Sequence, residues 1–258
     1  MPNQDLPLLI DAAREASEIA RRHWPKAQAG HVKKSDGSPV SDGDYAVDEF
    51  LRENLMAARP GYGWLSEETE DDAARLSSER QFIVDPIDGT RSYVEGGTTW
   101  AHSIAVVENG QPTAGVVYLP ERDKMYAAAV GEGATLNGNP IRVGRNDDPD
   151  RASMLASRSS LAPQFWNRGH PRGQRHFRPS LAYRFCLVAE GRFDASLTLK
   201  DAWEWDIAAG AIISTEAGAM ATDRHGRPLR LNAATPCAPG LIVANPALHA
   251  ALRARLDP

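Results

Sequence analysis

Two carboxylates stand three positions apart in the stretch VDPIDGT, residues 84–90, at the end of an apolar run. Proline and glycine disfavour a strand interior, so the stretch predicts a shaped turn with Asp85 and Asp88 at its ends. The carbonyl oxygen of Ile87 is available in that turn as a further oxygen ligand. Mg²⁺ prefers oxygen ligands and commonly binds a few carboxylates together with a substrate phosphate. The stretch therefore indicates either a metal site or an ordinary turn.

Three further groups of acidic residues stand at predicted element ends, and each alone has an ordinary structural explanation. Aspartates at 42 and 44 suit the start of a helix, the run EETEDD from residue 67 suits a solvated loop, and Asp206 suits an N-cap. A pair of metal ions about 4 Å apart needs carboxylates from several such element ends. The candidate ligands are Asp42, Asp44, Glu67, Glu68, Asp85, Asp88 and Asp206.

The hydrophobic pattern predicts helices and mixed strands around these groups. An apolar face at residues 8–24 predicts a helix that Pro25 ends, and a capping box at 41–44 begins a second helix that stops near Pro60. A hairpin is predicted around Glu108-Asn109-Gly110, and a short helix after Gly89. The other predicted strands are QFIVD, KMYAAAV, SMLAS, FDASL and GLIVAN, and the other helices are LAYRFCLVAEG, residues 206–217 and the C-terminal segment.

This order of elements predicts an α+β fold in which helices and mixed sheet form layers. The boundary between the two halves is expected in the polar, turn-rich segment GRNDDPDRA, residues 144–152. We expect the halves to pack as one compact unit, because 258 residues suit one large domain or two intimately packed halves.

The composition excludes several classes of partner. The net charge of −5 argues against a nucleic-acid polymer, since binding to nucleic acid needs a basic face. The two cysteines, Cys186 and Cys237, form no metal-binding knuckle and favour a reducing compartment. Apolar runs stay short of the roughly 20 residues of a membrane span, and the first residues, MPNQDLPLLIDAARE, lack the pattern of a signal peptide. We therefore expect a cytoplasmic protein without a membrane partner.

The motifs LSEE (65–68), VDPIDGT (84–90) and EWDIAAG (204–210), with SPVSDGD (38–44) upstream, resemble the inositol monophosphatase superfamily of Mg²⁺-dependent, lithium-sensitive phosphatases. The resemblance covers nearly the whole chain in matching order. It implies an α-β-α-β-α sandwich of the inositol monophosphatase and fructose-1,6-bisphosphatase type, often dimeric. In this reading residues 1–147 carry most metal ligands, and residues 148–258 carry Asp206 and the substrate-specificity segments.

The resemblance also implies a set of metal ligands. Glu67, Asp85 and the Ile87 carbonyl would bind a first Mg²⁺ ion. Asp85, Asp88 and Asp206 would bind a second, so that Asp85 bridges the two ions. Glu67 would also face a third, weaker Mg²⁺, which gives two or three ions in all.

The same resemblance implies the catalytic groups. Thr90, hydrogen-bonded to Asp44, would orient the attacking water, and Glu67 would act beside it. The backbone N–H groups of Gly89 and Thr90 would hold the phosphate of a small phosphate ester. Water activated by the metal would then attack phosphorus in line with the leaving alkoxide.

Two other readings of the carboxylates remain open at this point. Haloacid dehalogenase-type phosphatases use D-x-D-x-T with the first aspartate as nucleophile, whereas the spacing at Asp85 and Asp88 is D-x-x-D. A non-catalytic metal-binding protein of the same fold is the second alternative, although every expected ligand is present. The histidines lie far apart and the serines lack the G-x-S-x-G elbow, so zinc and serine-hydrolase chemistry have no support.

The substrate is less clearly indicated than the chemistry. Inositol-preferring members carry a glutamate seven residues before the WD aspartate, and that position is Leu199 here, although a small gap would bring Asp201 near. KKSDGSPVS, SRSS (157–160) and SLAYRFCLVAEG (180–191) lean towards the 3′(2′),5′-bisphosphate nucleotidases, which convert 3′-phosphoadenosine 5′-phosphate to AMP. Inositol-1-monophosphatase and then histidinol-phosphate phosphatase are the alternatives. The predicted substrate-binding residues are Gly89, Thr90, Ser180, Lys200 and Arg178.

A basic segment, NRGHPRGQRHFRPS, contains Arg168, Arg172, Arg175 and Arg178. It suits either a solvated surface loop or a rim that attracts a second phosphate group. Tyr183 and Trp203 suit either a buried core or a stack on a nucleotide base.

Overall fold

The computed structural model describes residues 4–29, 31–34 and 37–257 of the chain. Residues 35 and 36 of the KKSDGSPVS stretch, and the ends of the two predicted halves at residues 1–3 and 258, lie outside the described residues. Within the described part the helices are α1 (Asp5–Ala29), α2 (Asp42–Ala58), α3 (Thr90–Val94), α4 (Leu181–Ala189), α5 (Glu204–Glu216) and α6 (Pro246–Arg253).

The strands of the first half form a small hairpin and one large sheet. The hairpin pairs β1 (Val32–Lys33) with β2 (Pro39–Val40). The large sheet has the order β3 to β9 in sequence; its first pair is parallel and the rest are antiparallel. Its strands are β3 (Gly63–Ser66), β4 (Arg80–Asp88), β5 (Ala101–Glu108), β6 (Gln111–Leu119), β7 (Lys124–Ala129), β8 (Gly133–Leu136) and β9 (Asn139–Pro140).

The strands of the second half form a smaller mixed sheet with the order β11-β10-β12-β16-β14. A short pair, β13 with β15, lies beside the start of α5. These strands are β10 (Ser153–Ala156), β11 (Gln174–His176), β12 (Ala195–Thr198), β13 (Ala202–Trp203), β14 (Met220–Thr222), β15 (Cys237–Ala238) and β16 (Leu241–Ala244).

Three apolar clusters join the layers. One lies between α1, α2 and a face of the large sheet, and includes Leu9, Leu51 and Ile104. The second lies between the other face of that sheet, helices α4 and α5, and the smaller sheet. The third packs α6 against the far side of the smaller sheet. The order is therefore helix, sheet, helix, sheet, helix, which confirms the predicted α+β sandwich.

The described helices also bear on membrane association. None of them is long and apolar enough to cross a bilayer.

Most predicted elements are found near their predicted positions. Ser41 caps α2, and the side chain of Asp44 accepts a hydrogen bond from the Ser41 backbone, which completes the capping box. Asn109 and Gly110 both have positive φ, 51° and 77°, as the predicted hairpin turn requires. The predicted boundary between residues 147 and 148 falls between the strands of the two sheets; that the halves form one compact catalytic unit stays a prediction.

The prediction that Pro25 ends the first helix was wrong, because α1 continues to Ala29. Proline cannot donate to the carbonyl of Arg21, which ordinarily weakens a helix interior. Two hydrogen bonds hold the helix against α3 at this point: Trp24 Nε1 donates to the Tyr93 carbonyl, and the Tyr93 hydroxyl donates to the Ala20 carbonyl. Tertiary contacts therefore outweigh the local signal.

Several short strands were not predicted, and β3 and β11 are two of them. Residues 63–66, interpreted as part of a loop, form the buried strand β3 parallel to β4. Part of the basic segment forms β11, which pairs in parallel with β10. Both are short edge strands whose pairing partner is distant in the chain, so no local alternation identifies them.

Candidate active site

The DPID turn is a one-residue bulge at the end of β4. Asp85 pairs with Ser103 and Asp88 pairs with Ala101, so three steps along β4 match two steps along β5. The backbone N–H of Ile87 donates to Asp85 Oδ1 at 3.0 Å, which closes the turn. The bulge directs both aspartates to the same end of the sheet.

Three carboxylates converge at this bulge. Oxygen atoms of Asp85, Asp88 and Asp206 all lie within 4.8 Å of one another. Asp85 and Asp88 are buried, whereas Asp206 is half-buried in the first turn of α5. Three carboxylates this close repel one another strongly unless a proton or a cation lies between them.

The pKa values of these groups reflect that crowding. Burial and the neighbouring charges of Glu67 and Asp88 raise the pKa of Asp85 well above its usual range. Burial, Asp88 and Glu67 likewise raise the pKa of Asp206. Burial raises the pKa of Asp88 to about 6. A divalent cation would reverse these shifts, and an all-oxygen ligand set suits Mg²⁺. The residues present therefore fit the metal that the sequence indicates.

Asp88 is held by the start of helix α4. The Ser180 hydroxyl donates to Asp88 Oδ2 at 2.6 Å, and the backbone N–H groups of Leu181 and Ala182 donate at 3.2 and 2.7 Å. Ser180 also caps the helix by accepting from the N–H of Tyr183. An element of the second half thus fixes a carboxylate of the first half.

The Gly89 backbone requires glycine. Its φ of 96° lies in the left-handed region, and a Cβ atom at this position would come within 3.0 Å of the Thr99 carbonyl oxygen. Gly89 lets the chain turn from the bulge directly into α3, which begins at Thr90.

Thr90 joins this turn to the start of helix α2. Its hydroxyl lies 3.1 Å from Asp44 Oδ1 and 3.0 Å from the carbonyl oxygen of Ile87. The Ser41 N–H and hydroxyl donate to Asp44 Oδ2. Burial raises the pKa of Asp44 to about 6, although these hydrogen bonds act in the opposite direction.

Glu67 and Glu68 follow β3, and Lys34 from the β1–β2 hairpin contacts both. Lys34 Nζ lies 2.9 Å from Glu67 Oε1 and 2.7 Å from Glu68 Oε1. Burial, together with repulsion from Glu67, raises the pKa of Glu68 to about 7 even though Lys34 lowers it. The hydroxyls of Ser66 and Thr69 both donate to the buried carboxylate of Asp48, which anchors the loop to α2.

The carboxylates of the proposed metal site border one cleft with a volume of about 570 Å³. Glu67, Asp85, Asp88 and Asp206 lie on its walls. The other residues that line it are Ser38, Pro39, Gly89, Thr90, Arg91, Ser92, Glu95, Gly97, Phe177 and Pro179. A small phosphate ester fits a cleft of this size.

The structure brings together the predicted ligands and catalytic residues, but it does not bring all predicted substrate contacts to the cleft. Ser180 is buried against Asp88. Arg178 donates to the Phe177 carbonyl and packs over the Phe193 ring, and Lys200 is exposed beyond the end of β12. None of the three lines the cleft, so their contact with a substrate stays a prediction. Asp42 is exposed at the first position of α2 and also lies off the cleft.

The basic segment splits between different surfaces. Arg168, His170 and Arg172 line a separate cavity with Asp150 and Arg255. A rim formed by these residues around the acidic cleft is therefore not observed in the described part of the chain.

Sequence reasoning missed four residues of the site. Lys34 contacts Glu67, Arg91 and Phe177 line the cleft, and Arg184 is buried below it. Arg184 donates to the Arg178 carbonyl at 2.7 Å and lies 4.5 Å from the centre of the Phe177 ring. Its signal in the sequence is a single cation inside the apolar run LAYRFCLVA. The other three stand in loops or at a helix start, where no periodicity marks them.

Comparison with known proteins agrees with this geometry. The inositol monophosphatase family pattern matches residues 2–257. A histidinol-phosphatase of Mycobacterium tuberculosis is 34% identical over 271 aligned positions, covering 100% of this chain and 99% of that protein. An inositol-1-monophosphatase of Rhizobium meliloti is 32% identical over 234 positions, 86% of each chain. The structure of an IMPase from Thermotoga maritima has a TM-score of 0.83 and 29% identity, and the match covers 98% of this chain and 96% of that one.

Proposed function

The chain belongs to the inositol monophosphatase family of phosphatases, and we propose on this premise that it is a Mg²⁺-dependent phosphomonoesterase acting on a small phosphorylated metabolite. The observation that carries the proposal is the convergence of Asp85, Asp88 and Asp206 within 4.8 Å, beside the Thr90 hydroxyl, in one cleft. A purely structural role does not require three carboxylates that repel one another at the bottom of a cleft.

We assign the ligand roles as the resemblance implies them. Glu67, Asp85 and the Ile87 carbonyl would hold one ion, and Asp85, Asp88 and Asp206 another. Bound Mg²⁺ would neutralise the phosphate and lower the pKa of the attacking water. Whether two or three ions bind depends on Glu67, whose carboxylate contacts Lys34 in this arrangement.

Thr90 and Asp44 would orient the water. An ionised Asp44 accepts the single Thr90 proton, which leaves the lone pairs of the Thr90 oxygen available to a proton of the water. Donation to Asp44 also releases the Ile87 carbonyl, to which Thr90 would otherwise donate. Asp85 serves as a ligand in this scheme, so no phosphorylated aspartate is formed, in contrast to the haloacid dehalogenase-type alternative.

The substrate that we propose first is a bisphosphorylated nucleoside such as 3′-phosphoadenosine 5′-phosphate. Arg91 is exposed at the cleft and offers a cation to a second phosphate, and Phe177 is 50% exposed there and offers a ring to a base. Leu199, at the position where inositol-preferring members carry a glutamate, is fully buried and meets no ligand hydroxyl.

A second candidate is histidinol phosphate, whose alcohol carries an ammonium group. Glu95 is exposed in the same cleft and offers a carboxylate to that cation. The full-length similarity to a histidinol-phosphatase supports this candidate as well. A homodimer and a cytoplasmic location remain predictions.

Phosphate release from 3′-phosphoadenosine 5′-phosphate, histidinol phosphate and inositol 1-phosphate, measured side by side with Mg²⁺ and with EDTA, tests the proposal. We expect Mg²⁺-dependent release and the highest kcat/KM for the nucleotide. Hydrolysis that persists in EDTA, or no hydrolysis of any phosphomonoester with Mg²⁺, would contradict the metal-dependent phosphatase.

A further inference from the structure

The segment that follows Glu67 folds back onto the strand that precedes it. Residues 73–77 form a short 3-10 helix after the acidic run, and Arg75 lies against Gly63 at the start of β3. A Cβ atom on Gly63 would lie 3.0 Å from Arg75 Cβ and 3.1 Å from its Cα, so only glycine permits this approach. Arg75 is thereby almost fully buried, with 2% of its surface exposed.

The Arg75 guanidinium connects two distant parts of the chain. It makes a two-point ion pair with Asp71, Nε to Oδ1 at 2.6 Å and Nη2 to Oδ2 at 2.8 Å. It also donates to Asn232 Oδ1 at 2.6 Å and to the carbonyl of Ala233 at 3.0 Å. A buried, planar guanidinium with four such contacts fixes both partners in position.

Glu204 contacts the same segment, the turn at Asn232 and Ala233, from the opposite side. This carboxylate is 1% exposed and accepts hydrogen bonds from the N–H groups of Asn232 at 2.6 Å and Ala233 at 3.0 Å. Glu204 is the first residue of α5, two positions before Asp206. A continuous hydrogen-bonded bridge therefore runs from Asp71 through Arg75 and the 232–233 turn to the start of the helix that carries Asp206.

The bridge connects the segment that follows Glu67 to the start of the helix that carries Asp206. Glu67 follows an edge strand of the large sheet, and Asp206 lies on α5 in the central helix layer. Their charges repel one another, because each stands on a wall of the same cleft. A metal site needs its ligands held to within about 0.5 Å, so the segments that carry these two repelling carboxylates must be fixed relative to each other.

We propose that Arg75 and Glu204 are positioning residues that set the separation of Glu67 and Asp206 for divalent-metal binding. This inference rests on the proposed function and deepens it by naming what presets the metal site. Groups that hydrogen-bond to metal ligands typically change metal affinity by 10- to 100-fold when they are removed, and Arg75 and Glu204 act on the ligands through the segments that carry them.

The test is calorimetric titration of the metal-free protein with Mg²⁺ alone, accompanied by the Mg²⁺ dependence of phosphate release. We expect Arg75→Met to weaken Mg²⁺ binding about 10-fold, the lower end of that range because Arg75 contacts no ligand directly, with kcat recovered at saturating Mg²⁺. Lys124→Met is the matched control, since Lys124 makes a partly buried ion pair with Glu190 between the two halves and away from the cleft. The control is expected to lower Tm while leaving Mg²⁺ affinity at the wild-type value.

Two further variants keep the test decisive if Arg75→Met does not fold. Asn232→Gly removes the acceptor of the Arg75 guanidinium and the Nδ2 donor to the Arg75 carbonyl, and glycine readily adopts the φ of 62° found there. Glu204→Gln acts on the same bridge from the α5 side, so its effect on Mg²⁺ affinity should be non-additive with that of Asn232→Gly in the double variant.

The outcomes separate the two proposals. Wild-type Mg²⁺ affinity in Asn232→Gly and in any folded Arg75 or Glu204 variant would overturn the positioning role. An equal loss of affinity in Lys124→Met would overturn it too, since general destabilisation would then explain the effect. A wild-type protein that binds Mg²⁺ but hydrolyses no ester would refute the proposed function and leave the bridge to be judged by titration.

Discussion

The hydroxyl oxygen of Thr90 lies 3.1 Å from the carboxylate of Asp44, which stands 46 positions earlier in the chain. The same oxygen lies 3.0 Å from the carbonyl of Ile87, and a hydroxyl has one proton to donate. Donation to Asp44 frees the carbonyl and leaves the hydroxyl oxygen as an acceptor. An ionised Asp44 therefore favours the arrangement in which Thr90 faces water as an acceptor and the Ile87 carbonyl has no competing donor.

Replacement of Thr90 by valine removes the hydroxyl without changing the shape of the side chain. We expect Thr90→Val to lower kcat by about 10²- to 10⁴-fold, the usual contribution of a group that directs proton transfer. Thr90→Ser keeps the hydroxyl and should retain most of the activity. Steady-state kinetics on the best substrate measures both, and a Thr90→Val enzyme with near wild-type kcat would refute this role.

Replacement of Asp85 by asparagine removes the charge shared by the two proposed ions. Asp85→Asn should keep the fold, bind Mg²⁺ more weakly, and lose about 10³-fold or more in turnover, because a metal supplies several kcal/mol to phosphoryl transfer. Mass spectrometry of wild-type enzyme quenched during turnover should find no phosphate on Asp85. A phosphorylated Asp85 would favour the covalent route instead.

Much of the fold and of the metal cluster could be predicted because the signals are local. Three short motifs contain residue types that favour one backbone conformation. They are the capping box at Ser41, the Asn109-Gly110 turn and the DPIDGT stretch. The bulge at Asp85 and Asp88 follows from Pro86 between them. Convergence with Asp206 came from the family resemblance, since nothing local to EWDIAAG marks a metal ligand.

The remaining features depend on contacts between distant segments. Arg75 closely follows an acidic run that suits a solvated loop, and its burial is visible only once Asn232, 157 positions away, is placed beside it. Likewise, no sequence pattern around Lys34 indicates that it pairs with Glu67. The extension of α1 through Pro25 depends on Tyr93, which belongs to another helix. Local propensity carries no information about such partners.

Replacement of Asp206 by asparagine should affect thermal stability differently in the absence and in the presence of metal. Without metal, Asp206→Asn removes a charge that Asp88 and Glu67 repel, so Tm should rise by about 2–4 °C, the shift that ~1 kcal/mol produces in a domain of this size. With saturating Mg²⁺ the wild type should gain more stability than the variant, because a ligand stabilises the state that binds it. Thermal unfolding in EDTA and in Mg²⁺ measures both, and equal Mg²⁺ shifts would contradict Asp206 as a ligand.

Arg91 and Glu95 give opposite expectations for the two candidate substrates. Arg91→Ala should lower kcat/KM for 3′-phosphoadenosine 5′-phosphate by about 10-fold or more, the loss of one charge-assisted contact, with little effect on histidinol phosphate. Glu95→Ala should weaken only histidinol phosphate. Each variant is the control for the other. Equal effects on kcat/KM for both substrates would indicate that neither residue discriminates between the two leaving alcohols.

His102 lies opposite the Asp85–Asp88 bulge and gives a prediction about pH. Its Nδ1 contacts the Pro86 carbonyl, so this nitrogen carries the proton and donates it. Among the described residues, its Nε2 atom has no hydrogen-bond partner. Burial lowers the pKa of His102 to about 4, although the bond to Pro86 acts in the opposite direction.

Between about pH 6.5 and pH 4 the unfolded chain therefore binds a proton at His102 that the folded chain does not, so this residue makes stability fall as the pH falls. His102→Asn retains an N–H donor for the Pro86 carbonyl but cannot titrate. The free energy of unfolding of the wild type, relative to His102→Asn, should rise by about 3 kcal/mol from pH 4 to pH 7. Urea unfolding of both proteins across this range measures the difference. The two proteins share every other titrating group, so the difference isolates His102. A difference that stays constant with pH would show that the pKa of His102 does not change on folding.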